Sequence, residues 1–158
     1  MTTGERLADQ LRRAWNGAPW HGPSVHEILT RLTAQEAASR RARGSHTAWE
    51  LLKHLTLWAE VPLRRFDDAA AAATEEQNFA PPSSTTDADW QRDVAALGEV
   101  IERLAVRVER MPDAALDAPV GDRGYSHTFM VDGIAQHLAY HAGQIAILAR
   151  AERRSESS

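Results

Sequence analysis

One run of side chains limits what this chain can become more than any other. Trp90, Val94, Leu97, Ile101, Leu104, Val108 and Met111 step by four, three, four, three, four and three residues. Positions so spaced lie on one side of an α-helix, and an apolar seam that long has to be buried against other helices. The spacing predicts a helix from about Asp87 to Met111. Thr86 and Asp87 are placed to cap its first turn, and Pro112, which has no N–H to continue the ladder, stops it. Alternating β-branched runs are almost absent, while Ala, Leu, Glu and Arg recur with a helical period. The expectation is an all-α chain.

Three more long helices follow from the same reasoning. The first runs from about Thr3 to Trp15, with Leu7, Leu11, Ala14 and Trp15 on its face. The second starts near Thr47, where Thr47-Ala-Trp-Glu50 forms a capping box in which hydroxyl and carboxylate satisfy each other's free amides. Leu51, Leu55, Trp58 and Phe66 mark its apolar side. Pro62 deprives the Trp58 carbonyl of its partner, so a kink or an early end is expected there. Ala69 to Ala73 either extend that helix or fray, and Asn78 through Thr86 reads as a plain loop. The last helix runs from about Thr128 to Ala151, with Met130, Ile134, His137, His141, Ile145 and Leu148 along one side. Ser24-Val-His-Glu27 and Thr33-Ala-Gln-Glu36 start one or two short helices between the first and second long ones. Four long helices with one extended crossover make a four-helix bundle. The 158 residues suit one domain over 1–151, followed by a frayed polar tail at 152–158.

Composition removes several function classes. There is no cysteine, which rules out disulfides, Cys-based zinc sites, iron–sulfur clusters and a thiol nucleophile of the chain's own. Lys and Arg number 18 against 22 acids, a net charge of −4, so the basic stripe of a nucleic-acid binder is missing. The clusters Arg40-Arg41-Ala42-Arg43 and Arg153-Arg154 are short and read as solvated. No apolar run approaches the ~20 residues needed to cross a bilayer, and Met1-Thr2-Thr3-Gly4-Glu5 is too polar for a secretory signal. A soluble, cytoplasmic protein is expected, with no nucleic-acid or membrane partner. Phosphate-loop, dinucleotide and serine-hydrolase motifs do not occur.

The histidines carry the remaining chemistry. There are seven: His21, His26, His46, His54, His127, His137 and His141. His137 and His141, four apart, project from one helix face one turn apart, a spacing at which two imidazoles can share a divalent cation. His54 sits among Leu51, Leu55 and Trp58 on the core side of its helix. If that helix neighbours the last one, three ring nitrogens converge. The plainer reading is a set of hydrogen-bonded core histidines, and it suits His54 alone best. Two adjacent buried imidazoles need a shared partner or carry unsatisfied polar atoms. Glu50, four residues before His54, could face the same point, but its capping box already accounts for it. His21, in Pro19-Trp20-His21-Gly22-Pro23, lies in a turn that is either over the bundle mouth or simply exposed. His46 and His127, at helix starts, read as structural or solvated. The inward Glu-x-x-His pairs of a di-iron bundle are absent.

The string Gln136-His137-Leu138-Ala139-Tyr140-His141-Ala142-Gly143-Gln144-Ile145 resembles the last-helix signature of the DinB/YfiT-like family of metalloenzymes. Gly44-Ser45-His46-Thr47-Ala48-Trp49-Glu50-Leu51-Leu52-Lys53-His54-Leu55 is similar to that family's second helix, and Trp20-His21-Gly22-Pro23-Ser24 to a preceding loop in one branch. The resemblance spans nearly the whole chain. It implies a four-helix bundle of up-down-down-up type, often dimeric, with His54, His137 and His141 holding a divalent ion such as nickel, zinc, iron or manganese. It also implies that Gly143 lets a neighbouring helix approach closely, and that Gln144 hydrogen-bonds near the site or across an interface. The chain departs from the family at Leu138, where many relatives carry a polar residue, and at Pro62.

Three neutral imidazoles leave the charge of an ion uncompensated and a coordination position open, which suits activation of water. Relatives also include thiol-dependent transferases and isomerases. Because the chain lacks cysteine, that chemistry needs a low-molecular-weight thiol as cofactor. The expected function is therefore metal-dependent action on a small molecule, as a hydrolase or an S-transferase. The alternative is a non-catalytic metal-binding or stress-response homodimer.

Overall fold

The computed structural model describes residues 1–40 and 44–155, with side chains placed through Arg150. Among the described residues seven helices follow one another: α1 (Thr3–Asn16), α2 (Val25–Leu29), α3 (Ala34–Ala38), α4 (Ala48–Arg65), α5 (Asp87–Glu109), α6 (Asp113–Asp117) and α7 (His127–Ser155). Among the described residues there is no strand, only an isolated bridge between Pro119 and Ser126.

Local chemistry explains most of the boundaries. Thr2, Thr33 and Thr47 each form a complete capping box, with Glu5, Glu36 and Glu50. Ser24 caps α2 through Glu27 N–H, but the Glu27 carboxylate turns away to Arg31, so that box is half formed. Thr86 caps α5. Its neighbour Asp87 instead accepts from the Ala34 amide and ties α5 to α3. The seam helix ends at Glu109 with Arg110 as its C-cap, two residues short of the expected Met111, and Pro112 becomes the N-cap of α6, an element the sequence pattern does not reveal.

Three expectations need correction. The helix that begins at Thr47 does not end at Pro62; it runs through to Arg65, with Phe66 as its C-cap. Proline removes a single bond in the closing turn, and Pro62 is itself buried in the core, which offsets that loss. Ala69 to Ala73 do not prolong α4; Asp67–Ala70 form turns instead. α7 continues to Ser155, four residues past the expected end. The remainder of the expected tail, 156–158, lies outside the described residues, as do Arg41, Ala42 and Arg43 of the basic cluster.

α1 packs on α5 and α7, and α4 packs on the same two helices from the other side. The α1–α5 contact is close because two glycines permit it. A Cβ on Gly4 would lie 2.3 Å from the Val108 carbonyl oxygen, and one on Gly98 would lie 2.9 Å from the Trp15 ring. The seam side chains from Trp90 to Val108 are buried, together with Leu7, Leu11, Leu52 and Leu55. Trp49 and Trp90 meet edge to face at 5.1 Å, and their indole N–H groups donate to Asp93 and to the Leu32 carbonyl. Arg6 pairs with Asp132 at 3.1 Å and fixes α7 against α1. This scaffold sets α4 and α7 face to face. No helix among the described residues is long and apolar enough to cross a membrane.

Candidate metal centre

His54 reaches the centre because it falls on the buried side of α4, between Leu51 and Leu55. His137 and His141 reach it from α7, one turn apart. Their ligand atoms lie within 4.8 Å of one another. The rings stand steeply to each other, with centroids 4.9 Å apart for His54 and His137, 4.8 Å for His54 and His141, and 4.5 Å for His137 and His141. The three histidines singled out in the sequence therefore come together.

Two amides orient the outer faces of these rings. Asn78 Oδ1 lies 2.6 Å from His54 Nδ1, and Gln144 Oε1 lies 2.7 Å from His141 Nδ1. With an amide oxygen accepting at Nδ1, the ring carries its proton there and turns an Nε2 lone pair inward. His54 Nε2 then faces His137 Nε2 at 3.0 Å. Two lone pairs cannot share that distance without something positive between them, either an N–H of His137 or a cation. Two nitrogens bound to one ion at about 2.0–2.1 Å stand roughly 3.0–3.4 Å apart. The spacing of the His54–His137 pair thus fits a shared ion.

Burial keeps the rings neutral, as ligands must be. It pushes His137 down to about 4, with the neighbouring His141 and His54 adding to the effect. His54 is lowered chiefly by burial, against the opposing bond from Asn78. His141 is lowered by burial against the bond from Gln144. A set of neutral nitrogen donors suits first-row divalent ions and leaves their charge uncompensated.

The other candidates separate cleanly. Glu50 is buried, but its carboxylate is engaged by Thr47 N–H at 2.9 Å and Arg40 at 2.8 Å, so it caps α4. His21 is exposed and borders a separate cavity of about 400 Å³ with Gln10, Arg13 and Asp132. His46 is closer than its position suggests: its ring stacks on Phe79 at 3.7 Å, and Phe79 stacks on His54 at 4.0 Å. Gln144 acts within the site, one of the two roles implied for it. Gly143 does not serve an approach within this chain, because a Cβ there would meet nothing within 4 Å. It lies on the outer side of α7, away from the core. Leu138 is buried in the apolar core, which explains an apolar residue there.

Sequence reasoning missed Asn78 and Phe79, which it assigned to a plain loop. The available signal was an aromatic residue within the polar stretch Thr74-Glu-Glu-Gln-Asn-Phe79. A groove of about 950 Å³ lies elsewhere, along α5 and α6 by Val106, Met111 and Ala115.

The model of the DinB superfamily matches residues 20–145, and the chain belongs to that superfamily. No curated protein and no solved structure matches it.

Proposed function

We propose that this DinB superfamily member is a metal-dependent enzyme that acts on a small electrophilic molecule, with water or a low-molecular-weight thiol as nucleophile. The observation that carries this reading is the convergence of three neutral imidazoles on one point, two of them locked by amide oxygens at Nδ1. His54, His137 and His141 would hold a divalent ion such as nickel, zinc, iron or manganese. When bound, that ion supplies Lewis acidity, which acidifies a water or thiol and polarises a substrate carbonyl. Burial of the three rings keeps their protons off and their lone pairs available near pH 7. Asn78 and Gln144 hold two of the rings in register, and the Phe79 ring covers one face of His54.

The pairwise contacts of α1, α4, α5 and α7 support a four-helix bundle of up-down-down-up type. The long connection from Phe66 to Thr86 lets α5 run alongside α4 in the same direction. We also infer a homodimer through the outer face of α7, where Phe129, Tyr140 and Ile147 are exposed beside Gly133 and Gly143. A cytoplasmic location completes the reading.

Elemental analysis of untagged protein beside His137→Ala tests the centre. About one equivalent of metal, lost in the variant, is the expected result. The loaded protein is then incubated with an electrophile and bacillithiol, mycothiol or glutathione. Metal-dependent loss of thiol identifies a transferase, and thiol-independent ester or amide cleavage a hydrolase. Metal without either activity would leave the non-catalytic reading.

A further inference from the structure

The loop between α4 and α5 does something at the centre that its composition does not announce. Asn78 Oδ1 receives two contacts, from His54 Nδ1 at 2.6 Å and from Trp58 Nε1 at 3.3 Å. An indole N–H can only donate. The Asn78 atom facing Trp58 must therefore be the oxygen, not the amide nitrogen. Because that same oxygen faces His54, Nδ1 of His54 must be the protonated nitrogen. Trp58 and His54 are four residues apart on α4, so both donors point from one side of the helix to one acceptor.

Phe79, the next residue, holds the same ring from its face. It lies parallel to His54, within 3°, and His46 lies parallel on its other side, within 5°. Its backbone sits at φ +54°, the sole non-glycine residue with positive φ among those described. A bulky residue rarely adopts that conformation without a compensating contact. The turn that places Asn78 under the His54 edge is the turn that lays Phe79 over its face. The loop is pinned there by Lys53, which donates to the Pro81 carbonyl at 2.9 Å.

We propose that Asn78, oriented by Trp58, is a positioning residue that selects the Nδ1–H tautomer of His54, and that Phe79 clamps the ring so that Nε2 faces His137 and His141. The proposal rests on the reading of those three histidines as metal ligands. A partner that donates or accepts at the far nitrogen of a ligating histidine typically alters metal affinity by about 10–100-fold when removed.

The test uses the full chain with its histidines labelled with ¹⁵N. Long-range ¹⁵N–¹H spectra of the metal-free protein report the tautomer of each ring, and titration with Ni²⁺ alone reports affinity. In the unaltered protein His54 is expected as the Nδ1–H form. Asn78→Leu should bring in the Nε2–H form and weaken Ni²⁺ binding by about 10–100-fold, with helix content unchanged. Asn78→Asp, which keeps the acceptor, should restore both tautomer and affinity. Trp58→Phe removes only the donor that orients the amide, so a mixture of tautomers is expected; it decides the matter if Asn78→Leu does not fold. An Nδ1–H tautomer and Ni²⁺ affinity that both survive Asn78→Leu, or a tautomer unmoved in Trp58→Phe when that variant has to decide, would overturn the proposal. If the unaltered chain takes up no Ni²⁺, the metal reading falls by itself, and the tautomer spectra still decide what Asn78 does.

Discussion

The face that α5 turns to its neighbours and the face that α4 and α7 turn to each other use one helical period for opposite chemistry. Along α5, Trp90, Val94, Leu97, Ile101, Leu104 and Val108 are all buried, and what holds them is apolar area removed from water together with close contact. Between α4 and α7 the same register carries His54, His137 and His141. There, each ring brings two nitrogens that must be satisfied, and Asn78 and Gln144 satisfy one each on His54 and His141 while the stack of His46, Phe79 and His54 holds a ring by its face. One seam stabilises the fold unconditionally. The other depends on tautomer, pH and ligand.

Breaking the apolar seam should have the largest effect. Trp90→Ala removes a fully buried ring in contact with Trp49 and leaves the Leu32 carbonyl without its indole donor. A loss of about 3–5 kcal/mol is expected in urea unfolding. A smaller loss would mean that α4 and α5 close over the gap. The histidine seam should answer to metal instead. At a hundredfold excess over Kd, Ni²⁺ or Zn²⁺ is expected to stabilise the unaltered protein by about 2.7 kcal/mol. His137→Ala should lose that increment while the metal-free variant stays folded. If metal raised Tm equally in both, ligation through His137 would be refuted.

Acidity sharpens the contrast further. His137 is pushed down to about 4 in the folded chain, against about 6.5 when unfolded. Between those values the unfolded chain binds the proton and the folded one does not, so stability falls as pH drops through that window and is complete above it. The slope for one such group is at most about 1.4 kcal/mol per pH unit. Tm of the metal-free protein measured between pH 7 and pH 4 should decline, and His137→Ala should flatten that decline. A profile identical in both would mean that the ring is not buried as a neutral imidazole.

Much of this was readable from residues in order. The seam spacing predicts α5, the Thr-x-x-Glu boxes predict α3 and α4, and the four-residue step from His137 to His141 predicts two imidazoles on one face. Each rests on contacts within a few residues, where chain geometry leaves little choice. Pro62 was misjudged because its cost to the helix is local while the burial that offsets it is not. α6 was missed because a five-residue helix carries too little periodicity to register.

The sequence by itself determined that the chain is helical, which faces are apolar, and that His137 and His141 lie side by side. Only the tertiary structure decided that α4 lies against α7, that Asn78 and Phe79 arrive at His54 from 24 and 25 residues further along the chain, and that Glu50 and His21 stay out of the centre. The physical reason is range. Helical period and capping are set by neighbours a turn away, whereas the tautomer of a buried histidine is set by whichever donor or acceptor the folded chain brings to its far nitrogen.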